Sequence, residues 1–342
     1  MGEAFLRRDR TQREREERRL APAATRSTAS QGRVRHEPED PLRTCFERDR
    51  DRILYSKAFR RLKHKTQVFL NPEGDHVVTR LTHTLQVSQV ARSLATGLGL
   101  NEPLAEAIAL GHDVGHTPFG HTGEEALSPY VDGGWHHAAQ SVRILSVLED
   151  LNPTAEVLDG VRAHSWRVEP PPATCEGEVV RFADRIAYLS HDALDAMRAG
   201  VLYREDLPAG ARRCFGEPGS QWIGAMIDAV LDESLATGTV AMDPAALEVM
   251  HELRAFLFER VYRAEDTARK KQAATTIIRQ LVDYHLQHPG EMPSSYRDTE
   301  ADRATQVIDY VSGMTDRYAL ALHDRLFRPV LPVDVLAPWT SA

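Results

Sequence analysis

The chain of 342 residues has little cysteine and no long apolar segment. Its three cysteines, Cys45, Cys175 and Cys214, are odd in number and show no C-x-x-C spacing, which argues against a disulfide framework. No apolar run approaches the roughly 20 residues that a transmembrane helix needs. The stretch from Met1 to Arg10 also lacks the apolar region of a signal peptide. The sequence therefore predicts a reduced, cytoplasmic protein without a membrane partner.

Charge is spread unevenly along the chain. Hydrophobic residues make up 42% of the sequence, which is ample for a sizeable core in one or two domains. Residues 1–52 hold 14 arginines against 11 acidic residues, a net charge of +3; because the whole chain carries −8, the rest carries −11. An acidic body argues against broad nonspecific binding of nucleic acid, whereas the arginine-rich start keeps contact with single-stranded DNA open.

Residues 1–40 are predicted to form a disordered arm. Arg13–Arg19 is a dense run of mixed charge and Ala21–Ser30 is a tract of small residues, so little apolar surface is available to offset the entropy of ordering. An arm that docks on a neighbouring subunit or on nucleic acid is the alternative. Residues 41–342 are predicted to form a single mainly helical domain, with its core at 59–200 and a helical C-terminal part at 201–342.

Apolar residues recur at three- to four-residue spacing along most of the chain after Thr44, a pattern that predicts α-helices. Gly97 and Gly99 end the first clear helix and Asn101 begins the next, as is typical of helix termini. The predicted helices are Leu81–Leu98, one opening at Asn101, His137–Leu151, Val179–Met197, Ala245–Arg260, Thr267–Leu286 and Asp309–Leu326.

Strand signals are few and lie near residues 66–79. Gln67–Leu70 and His76–Thr79 could form two short strands, because Asn71–Asp75 between them is a typical turn sequence. The sequence therefore predicts an all-α fold, a helical bundle with a short β-hairpin excursion.

The densest cluster of reactive side chains is His112–His121, which holds three histidines and one aspartate. His112 and Asp113 are adjacent, so both can reach one metal ion only where the backbone bends. Gly111 and Gly115 supply that freedom. Metal ligation and proton transfer are the two tasks that histidine and aspartate perform best.

Two further candidate ligands lie on neighbouring helices. His83 lies on the helix before the cluster, and a tight turn between the two helices could bring it beside His112. Asp184 lies in an otherwise apolar helical stretch, where an unpaired buried carboxylate is costly. Together with Asp113, these residues predict a site of two histidines and two aspartates. Such a site suits Mn, Fe, Zn, Co or, more loosely, Mg.

The order of His83, His112-Asp113 and Asp184 resembles the HD phosphohydrolase superfamily, which implies an HD-domain helical bundle. Longer strings resemble its deoxynucleoside triphosphate triphosphohydrolase branch, the dGTPase-like family, and the chain length resembles its compact bacterial subgroup. The match runs from about Arg48 to His191 and continues faintly at Phe256–Phe258. The strings that carry it are Phe59–Val68, Thr79–Leu85, His112–His121 and Phe182–Tyr188.

The resemblance implies a role for each matching residue. His83, His112, Asp113 and Asp184 would be the metal ligands. Catalytic roles are implied for His121, for Glu124, which shares its helix face at a spacing of three, and for His137. Where family members have asparagine after this last histidine, the chain has Ala138. Substrate contacts are implied for Lys63, Arg80, His116 and Arg185 at the phosphates, for Gln67 at the sugar 3′-hydroxyl, and for Tyr188 and Asp192 in the deoxyribose pocket.

The implied reaction is hydrolysis of dGTP or several deoxynucleoside triphosphates to deoxynucleoside and inorganic triphosphate, which contributes to control of the nucleotide pool. It implies one divalent metal per site and leaves open a further Mg bound with the triphosphate. A homo-oligomer and nucleotide effectors are implied as well. Which histidine donates the proton stays open. The alternatives are another HD-type nucleotide phosphohydrolase, a monophosphatase or phosphodiesterase, and a nucleotide-sensing or single-strand-binding oligomer.

Overall fold

This computed structural model describes residues 6–67, 78–262 and 265–327, and most of these residues lie in helices. Two of the helices, α7 and α12, continue into single π-helical stretches at Ile144–Leu148 and Phe258–Tyr262. No helix in the described residues is long and apolar enough to cross a membrane. The α-helices are α1 (Arg10–Glu16), α2 (Cys45–Tyr55), α3 (Lys57–Arg61), α4 (Arg80–Gly97), α5 (Glu102–Gly111), α6 (His121–Leu127), α7 (His137–Arg143), α8 (Ala155–Ala163), α9 (Cys175–Arg198), α10 (Ala209–Phe215), α11 (Ser220–Thr237), α12 (Pro244–Leu257), α13 (Glu265–Gln287), α14 (Ser294–Arg297), α15 (Arg303–Ser312) and α16 (Asp316–Phe327).

Local capping chemistry explains several helix starts. Asn101 accepts a hydrogen bond from the first turn of α5, which also contains a proline, as predicted. The last predicted helix, Asp309–Leu326, is wrong as a single element, because α15 ends at Ser312 and α16 begins at Asp316. The carbonyl of Gly313 in this break accepts a hydrogen bond from Arg61 at 3.2 Å, so a distant side chain stabilises the interruption.

The short β-hairpin predicted near residues 66–79 is not supported. The described residues contain no strand, and only an isolated antiparallel bridge joins Thr66 to Thr79. Both threonines have other partners: the amide of Thr66 donates to the carboxylate of Asp316, and the hydroxyl of Thr79 caps α4. Most of the two predicted arms, residues 68–77, lies outside the described residues.

The main hydrophobic core lies between α4, α5 and α9, with α2, α8, α11 and α12 packed around them. Leu94, Ile108 and Ile186 are completely buried there, one from each of the three central helices. Burial of such side chains is the dominant favourable term in folding. The three helices that carry the predicted metal ligands are therefore also the centre of the core.

A second core is built by α13, α15 and α16. It includes Leu281 and Val311, and it also buries Phe119, Leu127 and Trp135 from the region around α6. Residues 201–261 pack into the main core instead. The division predicted at residue 201 therefore does not coincide with the boundary between the two cores.

The N-terminal segment, predicted to be a disordered arm over residues 1–40, contacts the helical body from Arg13 onward, where Arg13 pairs with Glu47 on α2. The amide and hydroxyl of Thr25 donate to the buried carboxylate of Glu176 at 2.9 and 2.8 Å. Arg33 pairs with buried Asp49. Composition misses this docking because many of its contacts are hydrogen bonds and ion pairs to single carboxylates, while the apolar residues that reach the main core, Leu20 and Ala24, are too few to form a pattern.

Candidate metal centre and active site

Three of the predicted ligands converge where α4, α5 and α9 meet. His83 Nε2 lies 3.1 Å from Asp184 Oδ1, and His112 Nε2 lies 3.8 Å from the same oxygen. One donor atom from each residue falls within 4.8 Å of the others, a spacing that could hold a metal ion. Antiparallel packing of α4 against α5 brings the two histidine rings to a centroid distance of 5.6 Å.

The ring of His112 fits a metal ligand in its hydrogen bonding as well as in its position. Nδ1 contacts the carbonyl of Ala109 at 2.6 Å, so in the neutral ring Nδ1 is the donor and Nε2 carries the lone pair. That Nε2 is buried and has no hydrogen-bond partner among the described residues. A backbone carbonyl that fixes the tautomer of a histidine is a common arrangement behind metal ligands. The donor set therefore fits a divalent metal.

Asp113 lies between this metal site and a group of basic side chains. Its Oδ1 is 3.5 Å from His112 Nε2 and 3.3 Å from His116 Nε2, while its Oδ2 is 2.7 Å from Arg80 Nη1. His83 Nε2 lies 3.9 Å from Oδ2. We call the four predicted ligands, His83, His112, Asp113 and Asp184, the metal group.

Burial opposes ionisation of the Asp113 carboxyl most strongly, but the interactions with three neighbouring side chains together outweigh the effect of burial. His112, His116 and Arg80 together hold the pKa of this carboxyl well below its usual value. Arg80 is itself buried and hydrogen-bonded to the carboxylate. The predicted phosphate contact is therefore also a partner of a predicted ligand.

A second group forms around the carboxylate of Glu124. Glu124 Oε1 lies 2.7 Å from His137 Nδ1, 3.1 Å from His116 Nδ1 and 3.6 Å from His121 Nδ1. The rings of His116 and His137 stack at a centroid distance of 4.0 Å. We call these four residues the histidine–glutamate group. The two predicted catalytic histidines and the predicted phosphate contact His116 therefore lie around one carboxylate, that of the third predicted catalytic residue, Glu124.

The members of the histidine–glutamate group differ in exposure and in pKa. His121 has a side chain 76% exposed, whereas His116 and His137 are buried. Burial lowers the pKa of His137, but Glu124 outweighs it and the net shift is upward. Burial, with Arg80 next, holds the pKa of His116 well below its usual value. Of the two buried rings, His137 therefore retains a proton more readily than His116 does.

The backbone bends between Gly111 and Gly115 as predicted, since α5 ends at Gly111 and a turn follows over residues 112–115. Neither glycine has a positive φ, and the left-handed pair is Phe119 and Gly120, with φ of 62° and 58°. Gly115 is needed for space, because a Cβ there would lie 2.2 Å from the backbone nitrogen of Ser141 on α7. The turn at residues 119–120 directs the chain into α6, which begins at His121.

The predicted sugar and phosphate residues are less tightly grouped. Gln67 has a buried Oε1 without a hydrogen-bond partner among the described residues. Asp192 is buried two turns beyond Asp184 on α9, and Tyr188 is half-buried between them. Burial raises the pKa of the Tyr188 hydroxyl, which therefore stays protonated and able to donate. These positions agree with the helix face that the spacing predicts.

The two remaining predicted phosphate contacts are Arg185 and Lys63. Arg185 stacks its guanidinium on the ring of Trp166, 3.8 Å from the centroid, and its Nη1 lies 3.2 Å from His251 Nε2. Lys63 is exposed, and no contact described for the chain joins it to the histidines.

Sequence reasoning missed two buried residues next to the histidines. His164 follows α8, and its Nε2 lies 3.0 Å from His137 Nε2, while burial lowers its pKa to about 3. Lys65 is fully enclosed; its Nζ donates to the carbonyls of His116 and, at 3.2 Å, Ser312, and burial lowers its pKa to about 7. No local pattern marks either residue, because a single histidine at a helix end or a lysine in a basic run is usually structural.

The pair His136-His137 is distinguished by the geometry. Nδ1 of His136 accepts a hydrogen bond from the amide of Ala138 at 3.2 Å and so caps α7. His137 turns inward to Glu124. The inward ring is the one that the sequence predicts as catalytic.

Known proteins resemble this chain along most of its length. An HD domain family matches residues 80–189, and a phosphohydrolase-associated domain family matches residues 240–325. The first match begins at Arg80 and ends just after Asp184, so it spans the whole metal group.

Three similar proteins are each named deoxyguanosinetriphosphate triphosphohydrolase-like protein. The one from Caldanaerobacter subterraneus is 47% identical over 94% of this chain and 94% of its own. Those from Desulfatibacillum aliphaticivorans and Clostridium perfringens are 44% and 43% identical, each over 91% of this chain and 95% of theirs. A crystal structure of a hypothetical protein from Aquifex aeolicus aligns with a TM-score of 0.49 and 21% identity, over 80% of this chain and 67% of that chain.

Proposed function

Because this chain belongs to the deoxyguanosinetriphosphate triphosphohydrolase-like family of HD-domain hydrolases, we propose that it hydrolyses deoxynucleoside triphosphates to deoxynucleoside and inorganic triphosphate. The observation that carries the proposal is the contact between the two groups of the site. Oδ1 of Asp113 lies 3.5 Å from Nε2 of His112 in the metal group and 3.3 Å from Nε2 of His116 in the histidine–glutamate group. A metal site and a proton-transfer group are therefore adjacent, as hydrolysis of a phosphate ester requires.

In this proposal His83, His112, Asp113 and Asp184 hold one divalent ion. The buried lone pair of His112 supports the assignment most directly. A divalent ion at this place would polarise a phosphate oxygen and lower the pKa of a bound water. Mn, Mg, Fe, Co and Zn all suit the donor set, and a further Mg would enter with the triphosphate.

Positive and neutral donors beside the metal group suit the triphosphate. Arg80 and His116 flank Asp113, and we assign them to the α-phosphate region, where developing charge must be neutralised. Lys63 and Arg185 stay proposed contacts for the outer phosphates. For Arg185 this requires that the guanidinium leave its stacked position over Trp166.

Proton transfer to the leaving 5′-oxygen is assigned to His137, because Glu124 raises its pKa and the ring is buried beside Asp113. His121 shares the same carboxylate from the solvent side and would act in the outer part of the site. The sugar is assigned to Gln67, Tyr188 and Asp192. The Oε1 of Gln67 has no hydrogen-bond partner among the described residues and would accept from a 3′-hydroxyl.

The proposal extends to a cytoplasmic protein that forms homo-oligomers. We further propose that nucleotide effectors and single-stranded DNA bind to the protein as additional ligands. The acidic body makes a local basic surface, not the whole molecule, the expected contact for DNA.

A product assay tests the reaction. The purified protein is incubated with each deoxynucleoside triphosphate and the matching ribonucleotide in the presence of Mn²⁺, Mg²⁺ or Co²⁺, and products are separated by ion-exchange chromatography. Deoxynucleoside and triphosphate are expected in equal amounts, with ribonucleotides hydrolysed more slowly. Release of pyrophosphate or orthophosphate would show that another bond is cleaved, and hydrolysis of only monophosphates or cyclic nucleotides would favour the other HD-type activities.

A further inference from the structure

We infer that Asp316, at the start of the last described helix, is a positioning residue for the active site. The inference rests on the proposed function for its kinetic consequences. Asp316 lies in the part of the chain that matches the phosphohydrolase-associated domain, and it is 250 residues from one of its partners, Thr66. Its side chain is buried.

The carboxylate of Asp316 joins two segments that carry predicted site residues. Oδ2 accepts hydrogen bonds from the amide of Thr66 at 2.9 Å and from the Thr66 hydroxyl, and Oδ1 accepts from the amide of Phe119 at 3.0 Å. Thr66 directly precedes Gln67. Phe119 precedes α6, which begins with His121 and carries Glu124.

The hydrogen bond to Phe119 lies where the backbone most needs support. Phe119 has a φ of 62°, a conformation that a residue with a bulky side chain rarely adopts unless surrounding contacts hold it there. Gly120 next to it packs so closely on Arg80 that a Cβ would lie 2.8 Å from the guanidinium. Loss of the Asp316 contact would therefore disturb both the start of α6 and the arginine that holds Asp113.

The Thr66 contact acts on the other wall of the site. The carbonyl of Lys65 accepts a hydrogen bond from the amide of Arg80 at 3.2 Å, so residues 65–67 are connected to the start of α4. Asp316 thus restrains the predicted sugar contact Gln67, the buried arginine and the α6 turn at one time. Supporting residues of this kind change activity by about 10- to 100-fold when they are removed, even though they do not touch the reacting atoms.

The chain offers a matched control at Glu176. This carboxylate is also buried and also accepts three hydrogen bonds, from the amide and hydroxyl of Thr25 and from the amide of Asn101. It anchors the N-terminal segment and contacts none of the predicted site residues. Asp316→Asn and Glu176→Gln therefore remove a charge and an acceptor of the same kind, one beside the site and one away from it.

The test compares the wild type, Asp316→Asn, Thr66→Val and Glu176→Gln as full-length, metal-loaded proteins. We expect kcat to fall about 10- to 100-fold in Asp316→Asn and less in Thr66→Val, which loses one of the three hydrogen bonds, with bound metal unchanged. Glu176→Gln should keep wild-type kcat although its Tm falls. Wild-type kcat and KM in Asp316→Asn, at a temperature where both variants are folded, would overturn the inference.

Hydrogen–deuterium exchange separates this inference from the proposed reaction. Peptides covering residues 116–124 should exchange faster in Asp316→Asn than in the wild type and should be unchanged in Glu176→Gln, whatever the substrate is. Unchanged exchange there in Asp316→Asn would also overturn the positioning role. If the wild type hydrolyses no deoxynucleoside triphosphate, the proposed function fails, while the exchange experiment still decides the role of Asp316.

Discussion

The two groups of the candidate site rest on different parts of the molecule. The metal group is carried by α4, by α9 and by the turn that directly follows α5, and the apolar faces of these three helices form the centre of the main core. The histidine–glutamate group is carried by the segment before α6, which holds His116, by α6, which packs on the second core, and by α7, which Asp309 of α15 contacts. One core therefore determines where a metal would lie, and both cores determine where the proton-transfer residues lie relative to it.

This difference separates two properties that a single-core enzyme would couple. Metal binding should follow the integrity of the main core, because its donors come from three helices that pack directly on one another. Catalytic rate should in addition follow the contacts between the cores, because Asp309 and Asp316 each connect the C-terminal helices to a segment that carries site residues. Variants on either side can test this separation.

The largest effect is expected from His112→Ala. The substitution removes the buried, unpartnered Nε2 of the metal group. Bound metal measured by mass spectrometry should fall to background, and hydrolysis should fall by at least about 100-fold. His36→Ala is the control, because His36 is exposed. Full metal content in His112→Ala would contradict the ligand assignment.

A smaller loss, without loss of metal, is expected from Glu124→Gln. Glu124 is the carboxylate that His116, His121 and His137 share. We expect kcat to fall by roughly 10²- to 10³-fold, with metal content equal to that of the wild type. The neighbouring Glu125→Gln is the control, because Glu125 is exposed on the same helix. Joint loss of metal and activity would show that the two groups are not separable.

A pair of core variants compares the two supports directly. Leu189 in the main core and Leu281 in the second core are both completely buried, so replacement by alanine should cost about 2–5 kcal/mol of unfolding free energy in each case. Leu189→Ala should weaken metal retention, whereas Leu281→Ala should lower kcat and keep the metal. Urea unfolding and metal analysis check both. Equal metal loss in the two variants would contradict a separation by core.

Asp309→Asn should have a modest effect on rate. Asp309 accepts hydrogen bonds from Gln140 at 2.9 Å and from Arg143 at 2.6–2.9 Å, both on the helix that begins with His137. Loss of one strong acceptor should reduce kcat about 10-fold with unchanged metal. Asp302→Asn on the same helix α15 is the control, since Asp302 is an exposed cap that asparagine can replace. A wild-type kcat in Asp309→Asn would show that the main core alone holds α7 in its catalytic position, without the contact from the second core.

The smallest effect concerns stability and lies outside the site. Burial raises the pKa of Glu176 above its ordinary value of 4.5. The folded protein therefore binds this proton more tightly than the unfolded chain does. The resulting stabilisation is complete below pH 4.5 and is lost as the pH rises through the higher folded pKa. In urea unfolding, the free energy of unfolding of Glu176→Gln should fall further below that of the wild type as the pH falls from 7 to 4.5. A difference that does not depend on pH would contradict the raised pKa of Glu176.

Much of the site could be predicted from residue types and helical spacing. The helical periods place His83 and Asp184 on their helices, and both lie beside His112. His121 and Glu124 share one turn of α6 as the spacing predicts. The turn after Gly111 follows the prediction, whereas the positive φ of Phe119 depends on distant support that a local pattern does not contain.

Lysine and carboxylate partners were the least predictable features. The sequence predicts a phosphate contact for Lys63, but the buried lysine of this basic run is Lys65. The sequence does not show which of the two lysines faces the interior. The N-terminal segment was predicted to be disordered from its composition, yet the partners that hold it are carboxylates such as Glu176. Docking by buried hydrogen bonds, with only Leu20 and Ala24 of the described segment reaching the main core, leaves no recognisable hydrophobic pattern.

The sequence by itself determined the family and the helical class, and it predicted which residues would form the metal site, because residue identity and the helical period are local properties. Only the tertiary structure decided that Asp113 lies between the two groups and that Glu124 serves three histidines. It also decided that Asp316 reaches the site from the far end of the chain. These arrangements depend on contacts between segments up to 250 residues apart, and the packing of two cores, not any local propensity, brings such segments together.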